Sequence, residues 1–273
     1  MKKIIVLIDF SDASQNAGSY AASLAREFGA AVTLLNVTPP SVIVHDSMFA
    51  SVMITQAEIL QQNQEQMNQE VSDLSKLYGQ EIRGIAMEGF LSDSISDMVL
   101  KDKIDLVVMG MKGRGKSNSV FGSSTTTLIR KSDFPILVIP EEATYTSIER
   151  ITYASDFDPS IEIDRFEALV RIAEKFSAPL SILHVEKDDR FTAEEALGKI
   201  KTNSQFSMLQ HEFHSIREKD VVAGINKFME DNPCSLLAMV AHKHSLFDRT
   251  FGKVHTKEMS LQTKIPLLVL QGK

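Results

Sequence analysis

A glycine- and lysine-rich stretch offers the clearest chemistry in this sequence. It begins at Gly110, directly after an apolar run, and continues through Gly113 and Lys116 to Gly122. Glycines allow backbone N–H groups to approach a phosphate closely, and the N-terminus of a following helix adds positive potential. The composition and position of the stretch therefore predict a phosphate-binding loop between a buried strand and a helix.

Two kinds of phosphate loop compete for this stretch. Residues 110–117 satisfy the Walker A pattern G-x4-G-K-[ST], in which Lys116 would contact the phosphates and the next serine would bind magnesium. The alternative omits Gly115 and uses Gly113 with the later Gly122. Residues 117–119 are poor helix formers where a P-loop helix should start, and the motif follows the fourth predicted strand rather than the first. Both observations favour the alternative loop.

Strands and helices alternate along the first half of the chain. An apolar, β-branched run ending at Asp9 is typical of a strand buried on both faces of a parallel sheet. An amphipathic helix follows and stops at Gly29, and a long Gln-rich helix is predicted at residues 54–78. Four further strands are predicted at residues 32–37, 81–87, 104–109 and 135–139. The alternation predicts a doubly wound α/β sheet with its ligand at the carboxyl edge.

The same pattern restarts after a short polar linker. Asp9-Phe10 recurs as Asp156-Phe157, Val37 as Val185 and Gly122 as Gly252. The third, fourth and fifth strands of the second copy are predicted at residues 206–213, 236–240 and 264–270. An internal repeat of this size predicts two tandem domains, residues 1–143 and 147–273, each large enough for its own core.

The second copy departs from the first at the loop. Ala241 and His244 stand where the first copy has glycines, and Lys253 replaces the serine that follows the last loop glycine. Side chains at these positions would fill the space of a ribose or phosphate, so no nucleotide is expected there. Five histidines of the second copy are candidate metal ligands, namely His211, His214, His242, His244 and His255. No carboxylate or cysteine accompanies them at a ligand spacing, so no metal site is expected.

Composition excludes several classes of function. A net charge of −7 and a pI near 5.5 argue against nonspecific nucleic-acid binding. Lys112, Arg114 and Lys116 form a basic island in this acidic chain and are candidate phosphate contacts. No apolar run approaches the roughly 20 residues that span a bilayer, and no membrane partner is expected. The single cysteine, Cys234, suits a reducing compartment, so we expect the protein in the cytoplasm.

The chain resembles the universal stress protein family in its tandem two-domain form. The resemblance rests on Asp9-Phe10-Ser11, Asn36-Val37, the stretch from Val108 to Gly113, and Phe121-Gly122-Ser123. Members that bind ATP show G-x2-G-x9-G-[ST], whereas the last gap here is eight residues. The resemblance implies two Rossmann-like domains of the adenine nucleotide alpha hydrolase-like type, each a five-stranded parallel sheet in the order 3-2-1-4-5 flanked by helices.

The resemblance also implies a nucleotide site in the first domain. It assigns Asp9 and Val37 to the adenosine end, with the backbone near Ile8 and Met109 lining the base pocket. The residues expected around ribose and phosphates are Gly110, Gly113, Gly122, Ser123, Ser124 and Thr125. The implied cofactor is ATP or AMP, with Mg²⁺ as an accompanying ion. The fifth strands of the two domains should pair within the chain, and two chains could form a homodimer.

The sequence contains no placed general base beside a nucleophile, so no catalytic residue is predicted. The leading hypothesis is a non-enzymatic stress-response or signalling regulator that binds ATP or AMP and an unidentified protein partner. Its degenerate second domain would be a structural partner. The sequence is compatible with slow ATP hydrolysis. The alternatives are a ligand-free protein-interaction module and, less favoured, a P-loop NTPase that uses residues 110–117.

Overall fold

Two similar halves share one continuous sheet in the computed structural model, which describes residues 1–40, 56–111, 123–186, 192–241 and 264–272. The elements of the first half are β1 Lys3–Leu7, α1 Asp12–Phe28, β2 Ala31–Thr38, α2 Gln56–Tyr78, β3 Ile82–Glu88, α3 Leu91–Asp102, β4 Leu106–Gly110, α4 Ser123–Lys131 and β5 Ile136–Ile139. Those of the second half are β6 Ile151–Ala154, a 3-10 turn Ile163–Phe166 leading into α5 Glu167–Phe176, β7 Leu180–Glu186, α6 Ala193–Gln205, β8 His211–Arg217, α7 Val221–Asp231, β9 Leu236–Ala241 and β10 Leu267–Gln271.

The strand order confirms the predicted fold class. The sheet runs β3-β2-β1-β4-β5-β10-β9-β6-β7-β8, so each half has the order 3-2-1-4-5 and is parallel within itself. The fifth strands, β5 and β10, pair antiparallel and join the halves, as expected from the resemblance. Two layers of core residues cover the faces of the sheet, and each layer includes residues of both halves. The domain boundaries at residues 143 and 147 stay a prediction.

Helix α1 lies on the sheet because one of its faces is made of small and apolar residues. Ser11 caps its N-terminus by accepting a hydrogen bond from Ser14 N, and Gly29 ends it in the left-handed conformation. Helix α2 is more polar, and within it only Met67 and Leu74 are fully buried. Gly84 of β3 makes room for it, because a Cβ there would lie 2.5 Å from Met67 Cγ. The Gln-rich segment is therefore a solvated helix with one face on the core.

One local prediction was wrong. The third strand of the second half is His211–Arg217, whereas Phe206 follows the last turn of α6 and is fully buried. Its ring packs edge-on against Tyr153 and Phe166, with centroids 5.8 and 5.3 Å away, so its apolar character reflects an aromatic cluster and not a strand. Helix α3 begins at Leu91, and no side chain caps its N-terminus.

Contacts between the halves extend beyond the β5–β10 pair. The last residues of α1 and α5, Phe28 and Phe176, meet edge to face with ring centroids 6.0 Å apart. Arg171 of α5 donates to Asp105 Oδ1 at 2.9 Å, and the other carboxylate oxygen of Asp105 accepts from the amides of Lys2 and Lys3. Burial raises the pKa of Asp105, but these donors and the nearby positive charges outweigh it and hold the pKa below its usual value.

The segment after β5 is fastened to the first half. Asn16 Nδ2 donates to the carbonyl oxygens of Pro140 and Ala143, both at 2.9 Å. Tyr145 packs edge-on against Tyr20, with ring centroids 5.1 Å apart, and burial raises the pKa of Tyr145 to about 12. The predicted linker is therefore packed against α1. Among the described helices, none is both long and apolar enough to cross a membrane.

Candidate functional site

The candidate site lies where the strand order reverses, at the carboxyl ends of β1 and β4. Strand β1 pairs with β2 on one side and with β4 on the other, so the connections from β1 and β4 diverge from a common point. In doubly wound sheets a crevice forms at this point and holds the ligand. The residues that follow β1, together with Gly110 and the end of β2, form the described part of this edge.

The turn from β1 into α1 is held by the side chain of Asp9. Its Oδ1 accepts hydrogen bonds from Ser11 N at 3.1 Å and from Ser11 Oγ at 2.5 Å. Asp9 N in turn donates to Ser14 Oγ at 3.3 Å. Phe10 between them adopts a φ of 61°, a left-handed conformation that non-glycine residues rarely take. The helix cap itself is Ser11, so Asp9 fixes the turn and is not the capping residue.

Gly110 is a glycine because helix α1 lies directly against it. A Cβ at this position would be 2.8 Å from the carbonyl oxygen of Ala13, which is a backbone atom of the first turn of α1. The carbonyl of Gly110 accepts a hydrogen bond from Thr125 Oγ1 at 3.4 Å, and Thr125 is only 2% exposed. That hydroxyl fastens α4 to β4, so a phosphate contact by Thr125 would have to use its backbone N–H.

Val37 presents its backbone to the crevice. Ile8 N donates to Leu35 O at 2.9 Å, which shows that the backbone of Leu35 faces β1. Residues two apart in a strand face the same side, so the N–H and C=O of Val37 also point towards β1. The register of the two strands ends at Leu7 and Leu35. Within the described ranges, no hydrogen bond to the backbone of Val37 is formed on this side.

A polar network under Val37 was not anticipated from the sequence. Asn36 is buried, and its Nδ2 donates to Ile8 O at 2.8 Å. Asn63 of α2 donates to Asn36 Oδ1 at 3.2 Å and to Thr38 Oγ1 at 2.9 Å. The only sequence signal was one amide side chain in an otherwise apolar strand, and its partners could not be known without the register. Helix α2 is thereby attached to the edge of the crevice.

Several predicted site residues lie outside the described part of the chain. These are Gly113 and Gly122, together with the three basic residues Lys112, Arg114 and Lys116. Ser123 and Ser124 form the first turn of α4, whose N-terminus follows that segment. Ile8 and Met109 are buried on opposite faces of the sheet, so only their backbone can border the crevice. The structure therefore brings together Ile8, Asp9, Val37, Met109, Gly110 and the start of α4.

The corresponding edge of the second half is filled by protein atoms. The ring of Phe157 stacks on His184 with centroids 4.8 Å apart, and His184 Nδ1 lies 2.9 Å from Ser155 O. Helix α6 packs on the same turn, since a Cβ on Gly198 would lie 1.7 Å from Phe157 O. Gly224 of α7 likewise sits against the side chain of Val185. The groups that would face a base here are covered by packed side chains and helices.

The described histidines of β8 have partners within the protein. His211 Nδ1 and Nε2 lie 3.0 Å from Leu209 O and 3.1 Å from Asn203 Oδ1. His214 packs against Phe228, with ring centroids 5.0 Å apart. Over the ranges that the structure describes, no three residues among His, Cys, Asp and Glu come together as a metal site would require. His242, His244 and His255 lie outside those ranges.

The fold and the crevice define a tandem, doubly wound α/β protein. A model of the universal stress protein family matches residues 1–140. A universal stress protein of Methanocaldococcus jannaschii is 30% identical over 139 residues, which cover 50% of this chain and 81% of that protein. One of Synechocystis is 25% identical over 300 residues, covering 99% of this chain and 100% of that protein. The chain belongs to the universal stress protein family.

The solved structures agree on the fold over the whole length. A crystal structure of a universal stress protein from Archaeoglobus fulgidus has a TM-score of 0.69 at 16% identity. It covers 99% of this chain and 98% of the other. At this identity the likeness shows the shared fold, including the arrangement of the two halves, and nothing about the ligand.

Proposed function

We propose that the first half binds one adenine nucleotide, ATP or AMP, and that the second half is a structural partner without nucleotide. The observation that carries the proposal is the backbone N–H and C=O of Val37 at the switch-point edge beside Asp9, which have no hydrogen-bond partner in β1 among the described residues. Membership of the universal stress protein family, for which the sequence resemblance implies nucleotide binding, supports it. The filled edge at Phe157 and His184 supports the assignment of the second half.

Adenine matches the groups that Val37 offers. Its N6 amino group donates a hydrogen bond and the neighbouring ring nitrogen accepts one, while Val37 supplies a C=O acceptor and an N–H donor. Guanine presents an oxygen at the position of the amino group, so a guanine held in the same orientation would meet mismatched groups. A site that hydrogen-bonds a ligand group discriminates strongly against an analogue that lacks it. ATP should therefore bind more tightly than GTP.

The remaining parts of the nucleotide have candidate partners along the same edge. A carboxylate such as Asp9 accepts hydrogen bonds from ribose hydroxyls. The phosphates would follow the glycines Gly110, Gly113 and Gly122 to the N-terminus of α4, where the N–H groups of the first turn favour an anion. Side chains assigned to phosphate contacts are Lys112, Arg114, Lys116, Ser123 and Ser124, with Thr125 acting through its amide. Mg²⁺ would accompany the triphosphate.

The proposed role is regulatory. We assign no catalytic residue, and we expect the nucleotide state to alter binding of a protein partner in the cytoplasm. A homodimer of the two-domain chain belongs to the same proposal. A ligand-free interaction module is the alternative, and it predicts that no nucleotide accompanies the purified protein.

Analysis of the native protein separates these two functions. Purified protein is denatured, and the supernatant is examined for adenine nucleotides by mass spectrometry. Calorimetric titrations with ATP, AMP and GTP then give the affinity and the base preference. The proposal predicts ATP or AMP in the supernatant and a higher melting temperature with ATP. Absence of nucleotide, together with a melting temperature that ATP does not change, would refute it.

Four variants separate the two phosphate loops. The Walker A interpretation requires Gly115 and Lys116, so Gly115→Val and Lys116→Ala should abolish ATP binding. The proposed loop does not use Gly115, and it requires Gly113 and Gly122 to admit the phosphates. We expect Gly113→Val and Gly122→Val to abolish binding, Gly115→Val to retain it, and Lys116→Ala to weaken it only by the loss of one charge. Lys131→Ala, at the far end of α4, is the charge control.

A further inference from the structure

The side chain of Asn36 interrupts the pairing of β1 and β2 at the edge of the crevice. In a parallel ladder, a residue that donates to one carbonyl of its neighbour accepts from the amide two residues further along. Ile8 N donates to Leu35 O, so the regular continuation is a bond from Val37 N to Ile8 O. Instead, Asn36 Nδ2 donates to Ile8 O at 2.8 Å, and the ladder ends. The amide side chain occupies the acceptor that the ladder would give to Val37.

Neighbouring groups fix the orientation of the Asn36 amide. Asn36 Oδ1 accepts from Asn63 Nδ2 at 3.2 Å and from Thr38 Oγ1 at 3.3 Å, and Asn63 Nδ2 also donates to Thr38 Oγ1 at 2.9 Å. A rotated amide would direct Oδ1 at the carbonyl of Ile8, which places two acceptors together. Two donors therefore hold Oδ1 on one side and leave Nδ2 for Ile8. Because Asn63 belongs to α2, this helix helps to orient the Asn36 amide.

The second half repeats the interruption with a different side chain. Ser155 N donates to Leu183 O at 2.8 Å, as Ile8 N does to Leu35 O. His184, which precedes Val185 as Asn36 precedes Val37, places Nδ1 2.9 Å from Ser155 O. The register of β6 with β7 ends at Ala154 and Leu183. A side chain therefore interrupts the strand pairing at the same position in both halves, an amide in the first and an imidazole in the second.

We propose that Asn36 is a positioning residue for the base: it keeps the N–H of Val37 out of the sheet and available to adenine. Asn63 acts through Asn36 by holding its amide in the required orientation. An unpaired strand N–H costs free energy, so a ligand acceptor that pairs with it is favoured. This inference rests on the proposed function, because it assigns the freed N–H to the nucleotide of that site.

Hydrogen exchange at the amide of Val37 tests the first step without any ligand. In Asn36→Leu the donor is gone and Ile8 O is vacant, so Val37 N should close the ladder and exchange slowly. In the wild type the same amide should exchange quickly in the absence of nucleotide and slow down when ATP is added. Asn36→His, which copies the second half, should keep the fast exchange. Asn36→Leu removes the acceptor of Asn63 and Thr38 and gains a ladder bond, so a urea unfolding curve of each variant checks that it is folded before exchange is measured.

Nucleotide titrations test the second step on the same proteins. Asn36→Leu should bind ATP about tenfold more weakly and lose part of the preference for ATP over GTP, because one hydrogen bond to the base is lost. Asn36→His should restore both the affinity and the preference. Asn63→Ala should weaken ATP binding in the same direction, whereas Asn68→Ala, on the exposed side of α2, should not.

Each outcome decides the inference. Protection of Val37 in Asn36→Leu, with weaker and less selective ATP binding and rescue by Asn36→His, supports it. Unchanged exchange of Val37 in Asn36→Leu overturns it, as does an Asn36→His protein that loses binding as completely as Asn36→Leu. If the wild type binds no adenine nucleotide, the assignment of the N–H to a base fails together with the proposed function. The exchange measurement still establishes or refutes the interruption of the ladder by Asn36.

Discussion

Replacing Gly110 by alanine should destabilise the protein because α1 packs closely on β4 at this position. Comparison with a second glycine variant distinguishes this packing effect from the general effect of replacing a glycine. The added Cβ would lie 2.8 Å from the oxygen and 2.9 Å from the carbon of the Ala13 carbonyl, and 3.2 Å from Ala13 Cβ. The first two are backbone atoms of a helix, so the conflict cannot be relieved by a side-chain rotation. Helix α1 must move away from the sheet, or the end of β4 must bend.

The size of the effect follows from two opposing terms. Inserting a methyl group into a packed site costs about 1–3 kcal/mol, and the smaller unfolded-state entropy of alanine returns about 0.4–1 kcal/mol. The net loss should be about 1–2 kcal/mol. Gly18→Ala is the matched control in α1, because its nearest contact would be the flexible Leu74 Cδ1 at 3.2 Å. In the middle of a helix, alanine is favoured over glycine by about 0.5–1 kcal/mol, so Gly18→Ala should be neutral or stabilising.

Urea unfolding of the wild type and both variants gives the comparison. The midpoint should fall for Gly110→Ala and stay level or rise for Gly18→Ala, with similar slopes in all three proteins. ATP binding should weaken in Gly110→Ala, since Ser11, the cap of α1, and Ser14, in its first turn, hold the turn at Asp9. A midpoint for Gly110→Ala equal to or above that of Gly18→Ala would refute the packing argument. It would leave phosphate approach as the reason for glycine at this position.

Two further predictions concern the contacts between the halves. Asp105→Asn should lower the free energy of unfolding at pH 7 by about 1 kcal/mol, measured by urea unfolding from pH 3 to pH 7. Because the folded pKa of Asp105 lies below the ordinary value, its contribution is present above that value and is lost as the pH falls through the folded pKa. The difference between the proteins should therefore vanish in acid, and Asp97→Asn, an exposed ion-pair control, should differ little from the wild type at any pH. Phe28→Ala and Phe176→Ala should be coupled by about 0.5–1.5 kcal/mol in a double-mutant cycle, whereas strictly additive effects would show that the ring contact contributes nothing.

The sequence predicts the sheet well because parallel strands buried on both faces are continuous apolar runs. Strands β1, β2, β4 and β5 are such runs, and the internal repeat identifies β6, β7, β9 and β10 as the corresponding strands of the second half. Strand β8 lacks this pattern, since its sequence HEFHSIR contains only half-buried and exposed residues, at the outer edge of the sheet. The apolar pattern places the start of this strand at Phe206, but that side chain fills an aromatic cluster instead.

The candidate site was less accessible to sequence reasoning because it consists largely of backbone. The role of Val37 depends on which way its N–H points, and that follows from the register of β1 against β2. The partner of Asn36 likewise depends on this register. Among the many amides of α2, the one that reaches the crevice is set by the rotation of the helix about its axis. Only Asp9 and Gly110 could be placed at the edge from pattern alone.

The antiparallel pair of β5 and β10 has a consequence for how the chain folds during synthesis. Strand β5 is complete once Ile139 is made, but its outer edge finds its partner only when Leu267–Gln271 has been synthesised. Until then, the first half presents an apolar strand edge that can pair with other chains. Domains usually fold as units, N-terminal first, so this edge is exposed for the whole time that the second half is being made. Chains that are truncated before β10 should therefore associate with one another. Chains that include β10 should not.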